Sequence, residues 1–310
     1  MKRYLIKAIK LTKVLNHLIK SKSMQNAYLP LALISMCCYG LGDLVFKFAA
    51  RKGIPAHRFI VLQTVFFLPS ALLLGWVTGS LHFGVPFLFG MCAGLTLYFA
   101  LLYFSISLNT GDVSVVAPVF RSSFVLSATL ALLFLNESLT MNKGFAFVLL
   151  IIAAFLLLSN LSFRSTNPSP SKTSKTYFRS LAIATVLLGI TGFIYKLGAI
   201  AGGNSISIVA GQAVVFFTMA FSSCYYKDKK IIFLWKYLYL GFITALFLFL
   251  ALYFLLEALK SGPASTVVTI SQMGFVVTAI LGIFIFKEKI SVRKVLGLVC
   301  SIVAMILLAI

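Results

Sequence analysis

Acidic residues are nearly absent from this chain: six Asp and Glu stand against 27 Lys and Arg in 310 residues, a formal net charge of +21. Carboxylates this sparse form no pair suited to general acid–base work. Histidine is equally scarce, and His17, His57 and His82 lie outside the apolar runs without a His-x-x-x-His spacing. Cys37, Cys38, Cys92, Cys224 and Cys300 fall inside those runs and make no Cys-x-x-Cys pair, so buried free thiols are expected and no metal site or disulfide framework. There is no Gly-rich phosphate loop. Nothing therefore combines a nucleophile, a base and an orienting group, and the chain is expected to be no enzyme and to need no cofactor.

Charge of either sign is also short, 11% of residues against 61% apolar, less than half the charged share of a soluble domain. Lipid, not water, is the expected main solvent. The positive excess sits in tails and loops and lacks the aromatic-interleaved basic surface that nucleic acid binding needs; its expected partners are anionic headgroups. Residues 1–27 form a basic leader with no uninterrupted apolar core and no small-residue cleavage site, which reads as an amphipathic helix on the membrane surface or a disordered extension rather than a cleaved signal.

What the chain does have is long apolar runs. A hydrocarbon core about 30 Å thick needs roughly 20 apolar residues per helix, and ten stretches qualify: 28–50, 59–78, 87–106, 113–135, 144–161, 181–200, 207–225, 234–256, 264–286 and 292–310. The expected fold is all-α with ten transmembrane helices. A polar linker over 162–179, rich in Pro, Ser and Lys, divides them into a first unit, 28–161, and a second, 180–310.

The two units repeat each other. A shift of 151 places Gly111 on Gly262, Phe124 on Phe275, Ala128 on Ala279, Glu137 on Glu288 and Lys143 on Lys294; a shift of 149 places Gly40 on Gly189, Lys47 on Lys196, Gln63 on Gln212 and Phe67 on Phe216. Matches of Lys, Gln and Glu at equal depth carry weight that Leu on Leu does not. Five spans per copy is an odd number, so the second copy enters the membrane from the other side and the repeats are inverted. Inverted repeats with a site at their interface near midplane are a recurring design of secondary transporters.

These features resemble the drug/metabolite transporter superfamily with two EamA-type domains. The resemblance rests on the fourth span with Pro118, its ending Asn136-Glu137-Ser138-Leu139-Thr140, the partner ending Lys287-Glu288-Lys289-Ile290-Ser291, and a Gly-then-Lys first span in each half. It implies ten helices, alternating access and small polar substrates such as amino acids. The second copy departs in having Thr269 where the first has Pro118, so a kink need not be symmetric.

Arg121 is the strongest candidate site residue, about nine residues and roughly 13 Å into its span, where an unpaired cation costs ~2.5 kcal/mol or more. It must face a cavity or a counter-charge. Its equivalent is Gln272, one turn from Thr269. Tyr39, Asp43 and Lys47 make one stripe of the first helix at i, i+4 and i+8; Asp43 is either half of a self-neutralised pair or a counter-ion and coupling residue. Lys196 either snorkels to the headgroups or lines the same cavity as Lys47. Gln63 and Gln212 either bridge helices or line the pathway, and Glu137 and Glu288 are expected to be structural. The expected function is a permease of the bacterial inner membrane. It would move a small anionic or zwitterionic metabolite by rocking its halves about a site holding Arg121 and Gln272, as a monomer or homodimer in contact with membrane lipid. The competing expectation is a non-transporting scaffold subunit or lipid-handling helper.

Overall fold

A computed structural model of the chain describes residues 28–110, 116, 119–137, 140–158, 172–202, 204–230, 233–286 and 291–309. The basic leader, Pro118, Glu288 and residues 159–171 of the linker region lie outside the described residues. Among those described, the helices are α1 (Tyr28–Arg51), α2 (Ala56–Val77), α3 (Val85–Thr110), α4 (Phe124–Phe134), α5 (Met141–Leu158), α6 (Lys172–Ile200), α7 (Ser205–Asp228), α8 (Leu238–Ser261), α9 (Ala264–Gln272), α10 (Gly274–Phe286) and α11 (Val292–Ala309). Among the described residues, seven segments are long and apolar enough to cross a membrane, and three shorter apolar helices, Val119–Phe134, Met141–Ala153 and Val295–Leu308, stand where the fourth, fifth and tenth spans are expected. The protein is an all-α membrane protein of two inverted five-span repeats. α6 begins at Lys172, within the stretch expected as linker; a helix projecting beyond the hydrocarbon needs no apolar residues, so hydropathy alone places its start too late.

The helices that pack most closely come from opposite repeats. α3 packs on α6 and α7, α8 packs on α1 and α2, and α5 packs on α11. Each contact has its inverted counterpart: α1 against α9 and α10 mirrors α6 against α4. The repeats are interdigitated, forming one body from spans 1, 2, 8 and 9 and its pseudo-symmetric partner from spans 3, 4, 6 and 7. α2 with α7, and α4 with α9, join the two.

The fourth and ninth spans break at equivalent places. After Arg121 the chain turns at Ser122 and Ser123 before α4; after Gln272 it turns at Met273 before α10. The turns share their tightened i to i−3 bonds: Ser122 N donates to Val119 O (3.1 Å) and Val125 N to Ser122 O (3.0 Å), as Met273 N donates to Ile270 O (3.0 Å) and Val276 N to Met273 O (2.9 Å). Local causes differ. Ser122 Oγ competes for the Val119 carbonyl at 2.6 Å, whereas Gly274 supplies a residue of low helix propensity. A glycine receives each break: Gly40 against Gly274 and Val277, Gly189 against Ser123 and Leu126. The hydroxyls of Thr278 and Ser127 donate to the Gly40 and Gly189 carbonyls at 2.9 and 2.7 Å.

Helix ends are tied across repeats as well. Glu137 accepts from Ala264 N (2.6 Å) and Ser265 N (3.0 Å), so a carboxylate ending the fourth span caps the start of α9. Glu137→Ala strands two amides and is expected to cost about 1.5–3 kcal/mol, read as a lower melting temperature in detergent; an unchanged melt would show that water replaces the cap.

Candidate functional site

The two breaks and six unbroken helices, α1, α2, α3, α6, α7 and α8, line a cavity that opens to solvent and measures about 720 Å³ with the open space at its mouth included. Its lining follows the repeat. Gln63 and Gln212, Phe67 and Phe216, Leu97 and Leu248, Leu101 and Leu252 are equivalent pairs with like residues on both sides. Four more pairs line it with unlike residues: Tyr39 opposite Leu188, Asp43 opposite Gly192, Phe46 opposite Tyr195, Arg121 opposite Gln272. Among the described lining residues, only Phe104 and Phe120 lack a lining counterpart, and their rings stack on each other at 4.3 Å. The cavity thus straddles the pseudo-two-fold axis.

Arg121 is 5% exposed and held on three sides. Its Nη2 and Nε donate to Asp43 Oδ1 (2.6 Å) and Oδ2 (3.2 Å), its Nη1 donates to Gln272 Oε1 (2.8 Å), and the guanidinium lies 4.8 Å from the Tyr39 ring centre. Arginine suits this position because its planar fork can meet a carboxylate, an amide and an aromatic face at once. The fork has further N–H groups for a solute. Among the described residues, the lining carries one cation and one anion, already paired, and is otherwise neutral. On the other repeat, the Tyr195 hydroxyl donates to Gln212 Oε1.

The structure therefore brings Tyr39, Asp43, Arg121 and Gln272 together at one cavity. It places the other three candidates elsewhere. Lys196 Nζ donates to the carbonyls of Leu259 (3.1 Å) and Gly262 (2.7 Å), at the C-terminal end of α8 where a cation also meets the helix dipole. Thr269 is buried and its hydroxyl donates to Ser265 O one turn back. Lys47 is buried and does not line the cavity. Of Tyr98, Tyr103 and Tyr195, the tyrosines whose place in the spans lets them wall a pocket or simply pack, Tyr195 lines it and the other two do not; Phe46 and Phe216 line it although composition does not single them out among so many aromatics. The repeat register was the usable signal, since Gln63 on Gln212 and Phe67 on Phe216 are matches that prove to face the cavity.

At one end of the molecule α2 and α7 are locked together. Arg58 Nε and Nη2 donate to Asp228 Oδ2 (2.8 Å) and Oδ1 (3.2 Å), and His57 Nε2 lies 3.1 Å from Asp228 Oδ2. The repeat equivalent of Arg58 is Ser207, which at the opposite end accepts from His82 N and donates to Ser80 O.

Two inverted repeats wrapped around an axial cavity, with helices broken beside a buried ion pair, define a helical membrane protein of transporter architecture. The model of the EamA-like transporter family matches residues 26–159 and again 179–310, and the chain belongs to that family. A solved structure described only as the crystal structure of a protein is similar to it, with a TM-score of 0.71 and 13% identity over 91% of this chain and 96% of its own; identity this low speaks to fold alone. No curated protein matches.

Proposed function

We propose that this transporter moves a small zwitterionic solute with an apolar body, such as an amino acid bearing an aliphatic side chain, by alternating access. The observation that carries this reading is the axial cavity whose one cation among the described residues, Arg121, is neutralised by Asp43. A bare anion entering this site would bring an uncompensated charge into a low-dielectric interior, whereas a zwitterion leaves the balance at zero. Rings and leucines from both repeats supply the apolar walls. Membership of a transporter family supports carriage over catalysis.

Interdigitation supports a particular motion. The rocking bodies would be spans 1, 2, 8 and 9 against spans 3, 4, 6 and 7, rather than one repeat against the other, because the most extensive contacts, α3 on α6 and α7 and α8 on α1, fall within those groups. The α2–α7 pair then serves as a shared seam whose Arg58–Asp228 end must give or pivot. Asp228→Asn is expected to lower the melting temperature by a few degrees and to speed exchange, measured on the same reconstituted protein; slower exchange would argue that the pair is needed during motion rather than released by it.

Full-length protein in liposomes preloaded with unlabelled L-leucine should take up labelled L-leucine by exchange, and the purified protein should melt higher in its presence. A melt that responds to lipids but to no zwitterion, with no exchange, would reject this reading in favour of a scaffold.

A further inference from the structure

Gln63 differs from its repeat partner in one respect. Gln212 has its oxygen filled by the Tyr195 hydroxyl. At the equivalent place in the first repeat stands Phe46, which has no hydroxyl, and Gln63 Oε1 is left without a partner although the residue is only 3% exposed. Three other buried oxygens among the described residues, on Thr64, Ser205 and Ser271, also lack partners, but none of those residues lines the cavity. A buried amide with an unfilled acceptor carries a desolvation cost that a purely structural residue has no reason to keep. Tyrosine at 46 would have removed it, as Tyr195 does at 212.

We infer that Gln63 is a second polar subsite, a specificity-determining acceptor that receives an ammonium group of the solute across the cavity from Arg121. The depth is suitable. Gln63 lies about 10 Å into α2, and Asp43, the partner of Arg121, about 12 Å from the adjoining end of α1. Phe67 follows Gln63 by one turn and also lines the cavity, so an aromatic ring accompanies the amide along the wall, and a cation is a donor that aromatic rings attract. The assignment rests on the carrier reading above and adds its selectivity: a solute with a carboxylate but no donor should satisfy only one of the two subsites.

The test uses full-length protein and three probes of one skeleton: L-leucine, its des-amino counterpart 4-methylpentanoate, and its decarboxylated counterpart 3-methylbutylamine. Wild type is expected to bind leucine about tenfold or more tighter than either half-molecule. Gln63→Leu should bring leucine down to the level of 4-methylpentanoate while leaving the latter unchanged. Phe46→Tyr, whose new hydroxyl fills the acceptor, should do the same. Both variants should melt a few degrees higher than wild type when empty, the opposite of what loss of a structural hydrogen bond would give. A leucine preference that survives unaltered in both variants overturns the subsite alone. Equal binding of leucine and 4-methylpentanoate by wild type, or binding of neither, overturns the carrier reading for this solute class and the subsite with it.

Discussion

Arg121→Ala is expected to abolish solute exchange and to destabilise the protein by about 3–5 kcal/mol, because it leaves the Asp43 carboxylate buried without its counter-charge. Asp43→Ala should destabilise by a similar amount from the other side of the pair. The informative variant is the double one, Arg121→Met with Asp43→Leu. The side chains of the pair are 6% and 10% exposed, so replacing both by apolar groups of similar volume removes two desolvation penalties together with one attraction and should recover most of the lost stability. Exchange should stay absent in the double variant, since no fork remains to meet a carboxylate. The readouts are thermal melting in detergent and exchange in liposomes, and their separation is the prediction. A double variant that melts like wild type and still exchanges would show the pair to be a packing device and dismiss it as a site.

The sequence made the architecture legible because its signals are physical and local. Runs of about 20 apolar residues can only be spans, an odd number of them per copy forces inversion, and Lys or Gln recurring at equal depth exposes the register. Arg121 was legible for the same reason, as a cation where none is tolerated alone. Its partners were only partly so. Asp43 reads along its helix either as the mate of Lys47 at i+4 or as a counter-ion, and folding gives its carboxylate to Arg121 on the fourth span, a bidentate contact in the interior stronger than an i,i+4 pair worth a few tenths of a kcal/mol. Lys196 could not be placed by hydropathy, since the carbonyls it bonds belong to α8. The breaks at Ser122 and Met273 have no strong local signal, Pro118 being the more obvious breaker of the fourth span; what marks them is the small residue on the neighbouring helix, Gly189 and Gly40, that makes room for each break.

That packing leads to the second large expected effect. A Cβ added at Gly40 would stand 2.6 Å from Gly274 O and 2.6 Å from Val277 Cβ. One of those atoms is backbone and neither can swing aside, so α10 must move. Gly40→Ala is therefore expected to cost about 1–3 kcal/mol as overpacking, and to cost exchange far more than that figure suggests. Gly274 lies two residues beyond Gln272, and displacing it drags the amide away from Arg121, whose Nη1 it accepts from at 2.8 Å. Gly189→Ala meets Leu126 Cβ at 2.8 Å, Leu126 Cδ2 at 2.9 Å and Ser123 O at 3.0 Å, a more yielding neighbourhood; its effect on the melt should be smaller, with exchange still impaired through the turn that follows Arg121. Gly144→Ala is the control, a helical glycine with nothing within 4 Å of the new methyl, and helix propensity alone should leave it neutral or stabilised by up to about 1 kcal/mol. Melting and exchange measured on all three separate the cases. If Gly40→Ala melts and exchanges like Gly144→Ala, the seat of the ninth-span break is not what holds Gln272 in place.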